Sequence, residues 1–250
     1  MAASWYSTKV LRYAPIGYLP IWEASGLTIE DQSGNNFDGT AASVTLAQPG
    51  IGDGNTAGSF DGADSVIDWY STGLRDAFSG AEGTLLVWAK VSGAGVWTDS
   101  TQRRIVSLAV DANNFVKILK STANGRLTFV YEANNVTETV DYDTTSPLGF
   151  FMVALTWSVT GDAMIAYFNE ATVGNSTGLD TWAGTLAAAL TTIGATNTTP
   201  DNEWSGSIAH VALWDSALSA ENLLDLHKFL GVHVSDANTY SPVKSRRITL

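Results

Sequence analysis

Few side chains in this sequence can do chemistry unaided, and their spacing argues against most reactions. There is no cysteine, and the three histidines are His210, His227 and His233. That excludes thiol catalysis, iron–sulfur clusters and cysteine-based zinc sites, and leaves little for an imidazole metal site. Gly174-Asn175-Ser176-Thr177-Gly178 spells the Gly-x-Ser-x-Gly of a nucleophile elbow. Such a serine is activated on a turn between a buried strand and a helix, with an acid and a histidine following. Here it sits in a polar stretch after a strand with no helical pattern behind it, so it reads as coincidence. Acids gather in YEANNVTETVDYD (131–143), as Glu132, Glu138, Asp141 and Asp143. Glycoside hydrolysis needs two carboxylates held roughly 5–10 Å apart. Glu138 and Asp143 are the pair that could share a face, but solvated loop and edge positions account for them better. Oxygen-rich turns recur at Asp31-Gln32-Ser33-Gly34-Asn35-Asn36, Asp53-Gly54-Asn55, Asp61-Gly62-Ala63-Asp64 and Asp201-Asn202-Glu203. Asx side chains stabilise tight loops without any ligand.

Aromatic rings are the more plentiful resource. Nine tryptophans exceed what one core obviously needs. Trp88 and Trp157 fall in mid-strand and are assigned to the core. Trp69, Tyr70, Trp97 and Trp182 lie near loops, where an exposed ring can stack on a sugar or anchor a protein partner. His210 alternates out of the assigned core face of its strand and reads as a surface or packing residue.

The charge balance is 13 Lys+Arg against 25 Asp+Glu, a net −12. Phosphate recognition runs on Lys and Arg, so nucleic acid is a poor prospect as a partner. The charge is also uneven. Residues 1–226 hold 9 basic and 24 acidic side chains, whereas 227–250 hold 4 and 1. Lys244, Arg246 and Arg247 stand in the closing SPVKSRRITL without an acid. That basic tail, and an N-terminal arm carrying Trp5, Tyr6, Arg12 and Tyr13, are candidates for contacts with a neighbouring copy or shell. No secretion signal is recognisable at the N-terminus. The longest apolar run, GFFMVALTWSV (149–159), falls short of the roughly 20 residues a membrane helix requires.

The elements that must carry these residues repeat with period two. TLLVWAKV (84–91), RIVSLAV (104–110), FVKILK (115–120), RLTFVY (126–131), FFMVALTWSV (150–159), AMIAYFN (163–169) and SIAHVALW (207–214) are short β-branched or aromatic runs bounded by turn clusters. Asn124-Gly125 and Thr160-Gly161-Asp162 are hairpin signals. In the last run the alternation assigns Ser207, Ala209, Val211 and Leu213 to the core face, with Gly206 allowing close approach where Trp204 packs. One helix is expected over about 220–230, capped by Ser219, with Glu221 in its first turn and Leu223, Leu226 and Leu230 on one face. The domain expectation is an N-terminal arm over 1–13, one all-β antiparallel sandwich over 14–230, and a tail over 231–250.

Five segments, in order, resemble the laminin-G-like, concanavalin A-like jelly rolls. They are APIGYLPIWEASGLTIEDQSGNNFDGT (14–40), SFDGADSVID (59–68), EGTLLVWAKV (82–91), FFMVALTWSVTGDAMIAYFNEATVG (150–174) and TTIGATNTTPDNEWSGSIAHVALWDSALSAENLLDLH (191–227). The fourth departs from the family's Asn-Gly by carrying Asn169-Glu170. The resemblance implies an all-β, two-sheet antiparallel jelly-roll sandwich with one short C-terminal helix. The Glu-x-Asp-x-x-Glu of the glucanase relatives is absent, so a non-catalytic module is expected. Relatives hold Ca²⁺ at the rim with Asp and Asn oxygens. No cofactor is required here, and Ca²⁺ at Asp61 and Asp64 is what the resemblance allows. Free jelly rolls of this kind resemble components of bacteriophage heads and tails. With no cysteine and no export signal, the first expectation is a structural protein on the virion surface, bound to other virion proteins and copies of itself. The alternative is a carbohydrate-binding, lectin-like module for a cell-surface glycan, released by lysis.

Overall fold

The alternating runs become strands, and the computed structural model describes them through residues 4–235. Sixteen strands form two eight-stranded antiparallel sheets. The first sheet runs in the order β14 (Ala171–Ser176), β13 (Ala163–Phe168), β12 (Phe151–Ser158), β7 (Glu82–Val91), β16 (Ser205–Trp214), β5 (Thr56–Asp61) and β4 (Thr45–Pro49), with β1 (Gly17–Leu19) on the far half of β16. The second runs β11 (Val136–Asp143), β10 (Arg126–Ala133), β9 (Asn114–Lys120), β8 (Arg103–Asp111), β15 (Thr192–Ile193), β6 (Val66–Asp68), β3 (Gly39–Ala42) and β2 (Thr28–Ile29). Three α-helices, α1 (Trp5–Leu11), α2 (Thr72–Ala77) and α3 (Ala220–Ser235), and two short 3₁₀ helices, Ala94–Trp97 and Ala188–Leu190, complete the described elements.

The expected turns are present with local differences. Asn169 takes φ +53° between β13 and β14, and Asp162 takes φ +46° between β12 and β13. Asn124-Gly125 does not make a two-residue hairpin. Residues 121–125 form a longer connection in which Gly125 alone of the pair has positive φ (+66°).

Between the sheets, Leu85, Val87 and Ala89 of β7 and Val153, Leu155 and Trp157 of β12 meet Ile105, Ile118 and Phe129 of the second sheet in one buried core. The opposite faces of β7 and β12 are apolar as well. Leu86, Trp88, Met152 and Ala154 point away from the second sheet into a separate cluster with Tyr6, Val10, Leu223 and Leu226. Trp88 is therefore buried, but under the helices rather than between the sheets. Strands apolar on both faces need cover on both, and α1 and α3 provide it.

That requirement corrects the expectation of a separate N-terminal arm. Ser4 Oγ caps α1 by accepting from the Ser7 N–H. Tyr6 and Val10 are fully buried, and Tyr6 OH accepts from Trp88 Nε1 at 2.6 Å. Lys9 pairs with Asp225 of α3, and Tyr13 OH donates to the same carboxylate at 2.6 Å. The segment is part of the sandwich. Lys244, Arg246 and Arg247 of the basic tail lie outside the described residues.

The other correction concerns β16. Ile208, Val211 and Leu213 face the inter-sheet core, while Ala209, Ala212 and Trp214 face the helices. A bulge between Ala209 and Ala212, with His210 at φ +49°, reverses the alternation midway. A single extra residue flips every later side chain to the other face, so Ile208 and Ala209 exchange the faces that simple alternation assigns.

Candidate functional site

Among the described residues no α-helix covers the outer face of the second sheet, which carries a grid of side chains set by strand register. Arg104, Leu119, Thr128 and Asp141 are paired across β8, β9, β10 and β11. The next row is Ser107, Lys117, Val130 and Thr139, and the third is Ala109, Phe115, Glu132 and Thr137. Alternation places these residues together, because their neighbours Val116, Ile118, Phe129 and Tyr131 are committed to the core. Two adjoining hollows of about 360 Å³ each lie on this grid and share Phe115 and Lys117. That size falls at the lower end of small-ligand pockets. The connection after β15 contributes Thr196 to the wall of the first hollow.

Arg104 is 5% exposed. Burial, partly offset by the attraction of Asp201, lowers its pKa to about 10. Its Nη2 reaches Thr196 Oγ1 at 3.5 Å, and Nε and Nη1 meet no acceptor. Lys117 Nζ stands 3.7 Å from the centroid of the Phe115 ring. Burial and the neighbouring Arg104 charge lower the Lys117 pKa to about 8, against the pull of Glu132. The groove's three carboxylates are engaged: Thr137 Oγ1 donates to Glu132 at 2.7 Å, Thr128 Oγ1 to Asp141 at 2.6 Å, and Asn113 N to Asp111 Oδ1 at 2.8 Å.

The residues singled out from the sequence lie elsewhere. Trp69, Trp97 and Trp182 are buried rather than displayed, because each fills an opening of the sandwich. Trp69 Nε1 donates to Phe37 O at 2.9 Å, and Trp97 Nε1 to Pro147 O at 3.0 Å. Trp182 packs edge-on against Phe78, 5.4 Å between centroids. Tyr70 is partly exposed beside Trp69. Trp5 is partly exposed on α1 and Arg12 is exposed just after it.

Asp61, at the end of β5, and Asp64, in the turn to β6, are the residues named for calcium, and Asp61 is engaged by its own turn. Asp61 Oδ1 accepts from the N–H groups of Ala63 and Asp64 and from Ser65 Oγ. Burial opposes its ionisation, but those donors prevail and lower its pKa to about 2. A carboxylate ringed by donors is the acceptor of its own turn. Asp31 is likewise filled by Tyr18 N, Ser33 and Phe37 N. Among the described residues no three acidic or histidine side chains converge as metal ligands. Ser176 of the elbow-like pattern ends a strand and donates to Glu138. Glu138 and Asp143 sit an odd number of residues apart on β11 and so face opposite ways. Asp143 pairs with Arg126.

His210 is fully buried and belongs to a closed polar ring beneath α1. Its Nδ1 lies 2.7 Å from Tyr18 OH, which lies 2.9 Å from Ser7 Oγ. Ser4 Oγ contacts Ser7 Oγ at 3.1 Å and donates to Asp53 Oδ2 at 2.5 Å, and that oxygen is 3.3 Å from His210 Nε2. The residue types are those of a hydrolase relay, but the ring is sealed and no serine touches the imidazole. It fastens the helix to the sheet.

The signal for Lys117 was present in FVKILK, where it alternates with core Val116 and Ile118. With only 13 basic residues in the chain, one that alternates with core side chains in mid-strand must point to the opposite face. Arg104 instead shares its parity with core Val106 and Leu108, and reaches the outer face through the register shift between Arg104 and Val106. Strand pairing is what brings Arg104, Phe115 and Lys117 together.

Several solved structures share the fold. The botulinum neurotoxin serotype D binding domain superposes with a TM-score of 0.64 at 16% identity, covering 86% of this chain and 52% of its own. The receptor binding domain of botulinum neurotoxin mosaic serotype C/D gives 0.67 at 15%, covering 88% and 51%. Trypanosoma rangeli sialidase, solved in complex with sialic acid, gives 0.65 at 14%, covering 87% and 33%. The chain thus spans about half the length of the toxin domains and a third of the sialidase. No curated protein matches the sequence. Residues 54–223 match the family described as the concanavalin A-like lectin/glucanases superfamily. With two antiparallel sheets in the jelly-roll arrangement and that match over more than half its length, the chain belongs to the concanavalin A-like lectin/glucanase superfamily.

Proposed function

We propose that the chain is a non-catalytic carbohydrate-binding module that takes a saccharide in the groove on the outer face of β8–β11. The observation that carries this reading is the groove itself: a sheet face that no α-helix covers among the described residues, with a partly exposed aromatic ring, Phe115, among hydroxyl, carboxylate and cationic side chains. Sugars are held by a ring against one face and by hydrogen bonds at the edges, and these three rows offer both. The likenesses lend support, since the toxin structures are titled as binding domains and the sialidase is titled with a bound sugar. None of the structures named above is a virion component, and Tyr6, expected in an assembly contact, is buried within its own chain. The carbohydrate reading therefore takes precedence over the particle-surface one.

The test is a glycan array with the full chain and Phe115→Ala. Saturable binding that Phe115→Ala abolishes, while Trp69→Phe, Trp97→Phe and Trp182→Phe retain it, supports the groove. Binding that survives Phe115→Ala, or no binding to any glycan, overturns it.

A further inference from the structure

Arg104 occupies a position that packing alone gives no reason to fill with an arginine. It is 5% exposed, in a place where a buried charge normally has a counter-charge. Arg75, Arg103 and Arg126 each hold an aspartate. Arg104 holds none, and of the five N–H donors on a guanidinium a single one, on Nη2, meets an acceptor, at the long distance of 3.5 Å. Buried polar groups are satisfied in native structures with few exceptions. Lys117 projects from the adjacent strand one row away, opposite Ser107. Its described contact is with the face of Phe115. Among the described residues neither cation forms an ion pair, although the chain carries 25 acids.

We propose that Arg104 and Lys117 form an anion subsite of the groove, binding the carboxylate or sulfate ester of an acidic saccharide whose ring lies against Phe115. The inference rests on the carbohydrate reading above and specifies its ligand class. A guanidinium fork matches a carboxylate or sulfate with two parallel hydrogen bonds, and an ammonium adds charge without fixed direction. The far parts of the groove limit the ligand's charge. Glu132 shares the Phe115 row, Asp141 ends the Arg104 row, Asp111 lines the first hollow and Asp201 acts on Arg104, so a polyanion laid along the groove meets repulsion. A saccharide with one acidic group at the Arg104 end fits.

The experiment is calorimetric titration of the full chain with glucuronate, galactose 6-sulfate, their neutral counterparts glucose and galactose, and inorganic sulfate. It is repeated with Arg104→Met, Arg104→Gln and Lys117→Met, each first checked for folding by thermal melting. The expected result is that an acidic sugar binds more tightly than its neutral counterpart. The Arg104 variants should lose about tenfold of that preference, the worth of one hydrogen bond to a charged group, and Lys117→Met part of it. The preference is read within each variant, as the ratio of acidic-sugar to neutral-sugar affinity. The carboxylate and sulfate arms separate the two acidic classes. Equal preference in wild type and the Arg104 variants, or no preference in wild type, overturns the anion subsite while the carbohydrate reading stands. Sulfate binding that depends on Arg104, with no sugar bound in any arm, keeps the anion site and overturns the carbohydrate reading.

Discussion

Replacing Arg104 with methionine should make the folded protein more stable, the opposite of what removing a buried structural arginine does. At neutral pH the guanidinium is charged in both folded and unfolded chains, so the full cost of burying it is present. Each pKa unit is worth about 1.4 kcal/mol, and depression to about 10 sets a ceiling of about 3 kcal/mol on that cost. Methionine keeps most of the stem's packing and forfeits the long bond to Thr196, itself worth no more than about 1 kcal/mol. The net expectation is a gain of about 1–2 kcal/mol, or roughly 2–8 °C in Tm for a chain of this size. The assay is urea unfolding followed by tryptophan fluorescence, run with and without sulfate. Sulfate should raise the midpoint of the wild type and leave Arg104→Met unmoved, because a ligand stabilises only the state that binds it. A variant less stable than wild type by 1 kcal/mol or more would show that Arg104 holds the fold together, and the reasoning from its unpartnered nitrogens would fail.

Two further outcomes follow from the carboxylates. Asp53→Ala should cost about 1–3 kcal/mol, the penalty for leaving buried polar groups unpaired, and lower Tm by about 2–12 °C, since it strips Ser4 of its acceptor and removes the carboxylate 3.3 Å from His210 Nε2. Burial pushes the Asp53 pKa up, but His210, Ser4 and Asn55 outweigh it and the net shift is downward. Its contribution is therefore present above the unfolded carboxylate pKa of about 3.9 and is lost as pH falls through the lower folded value. Urea midpoints measured from neutral pH into acid should show a steeper loss for wild type than for Asp53→Asn, and parallel curves would contradict the ring. At the rim, Ca²⁺ should not change the melting temperature of the wild type, whereas Asp61→Ala should lower it through loss of the turn's acceptor. A calcium-dependent rise that Asp61→Ala removes would restore a metal role there.

Much of the architecture was legible because it rests on local chemistry. Val116, Ile118, Phe129 and Tyr131 fall at alternate positions of their runs, so a strand with period two places each pair on one sheet face. Gly206 needed the tertiary context for its full meaning: at φ +149° a Cβ there would stand 1.9 Å from Lys90 O, so the β16–β7 pairing admits no side chain. Trp69, Trp97 and Trp182 were misplaced because proximity to a loop says nothing about which end of the sandwich that loop closes. Ile208 and Ala209 were misplaced because the His210 bulge leaves no mark in residue type.

From its sequence alone, this chain is acidic, cysteine-free and an antiparallel β-sandwich, since hydrophobic period and turn residues act over a few neighbours; the jelly-roll form came from the resemblance of five segments to a known family. The tertiary structure alone decides that the N-terminal segment seals the back of the first sheet and that Arg104 and Lys117 stand together with no ion pair among the described residues. Burial and partnership are properties of the whole packed chain. A charge can be known to lack its counter-charge only when every element around it is in place.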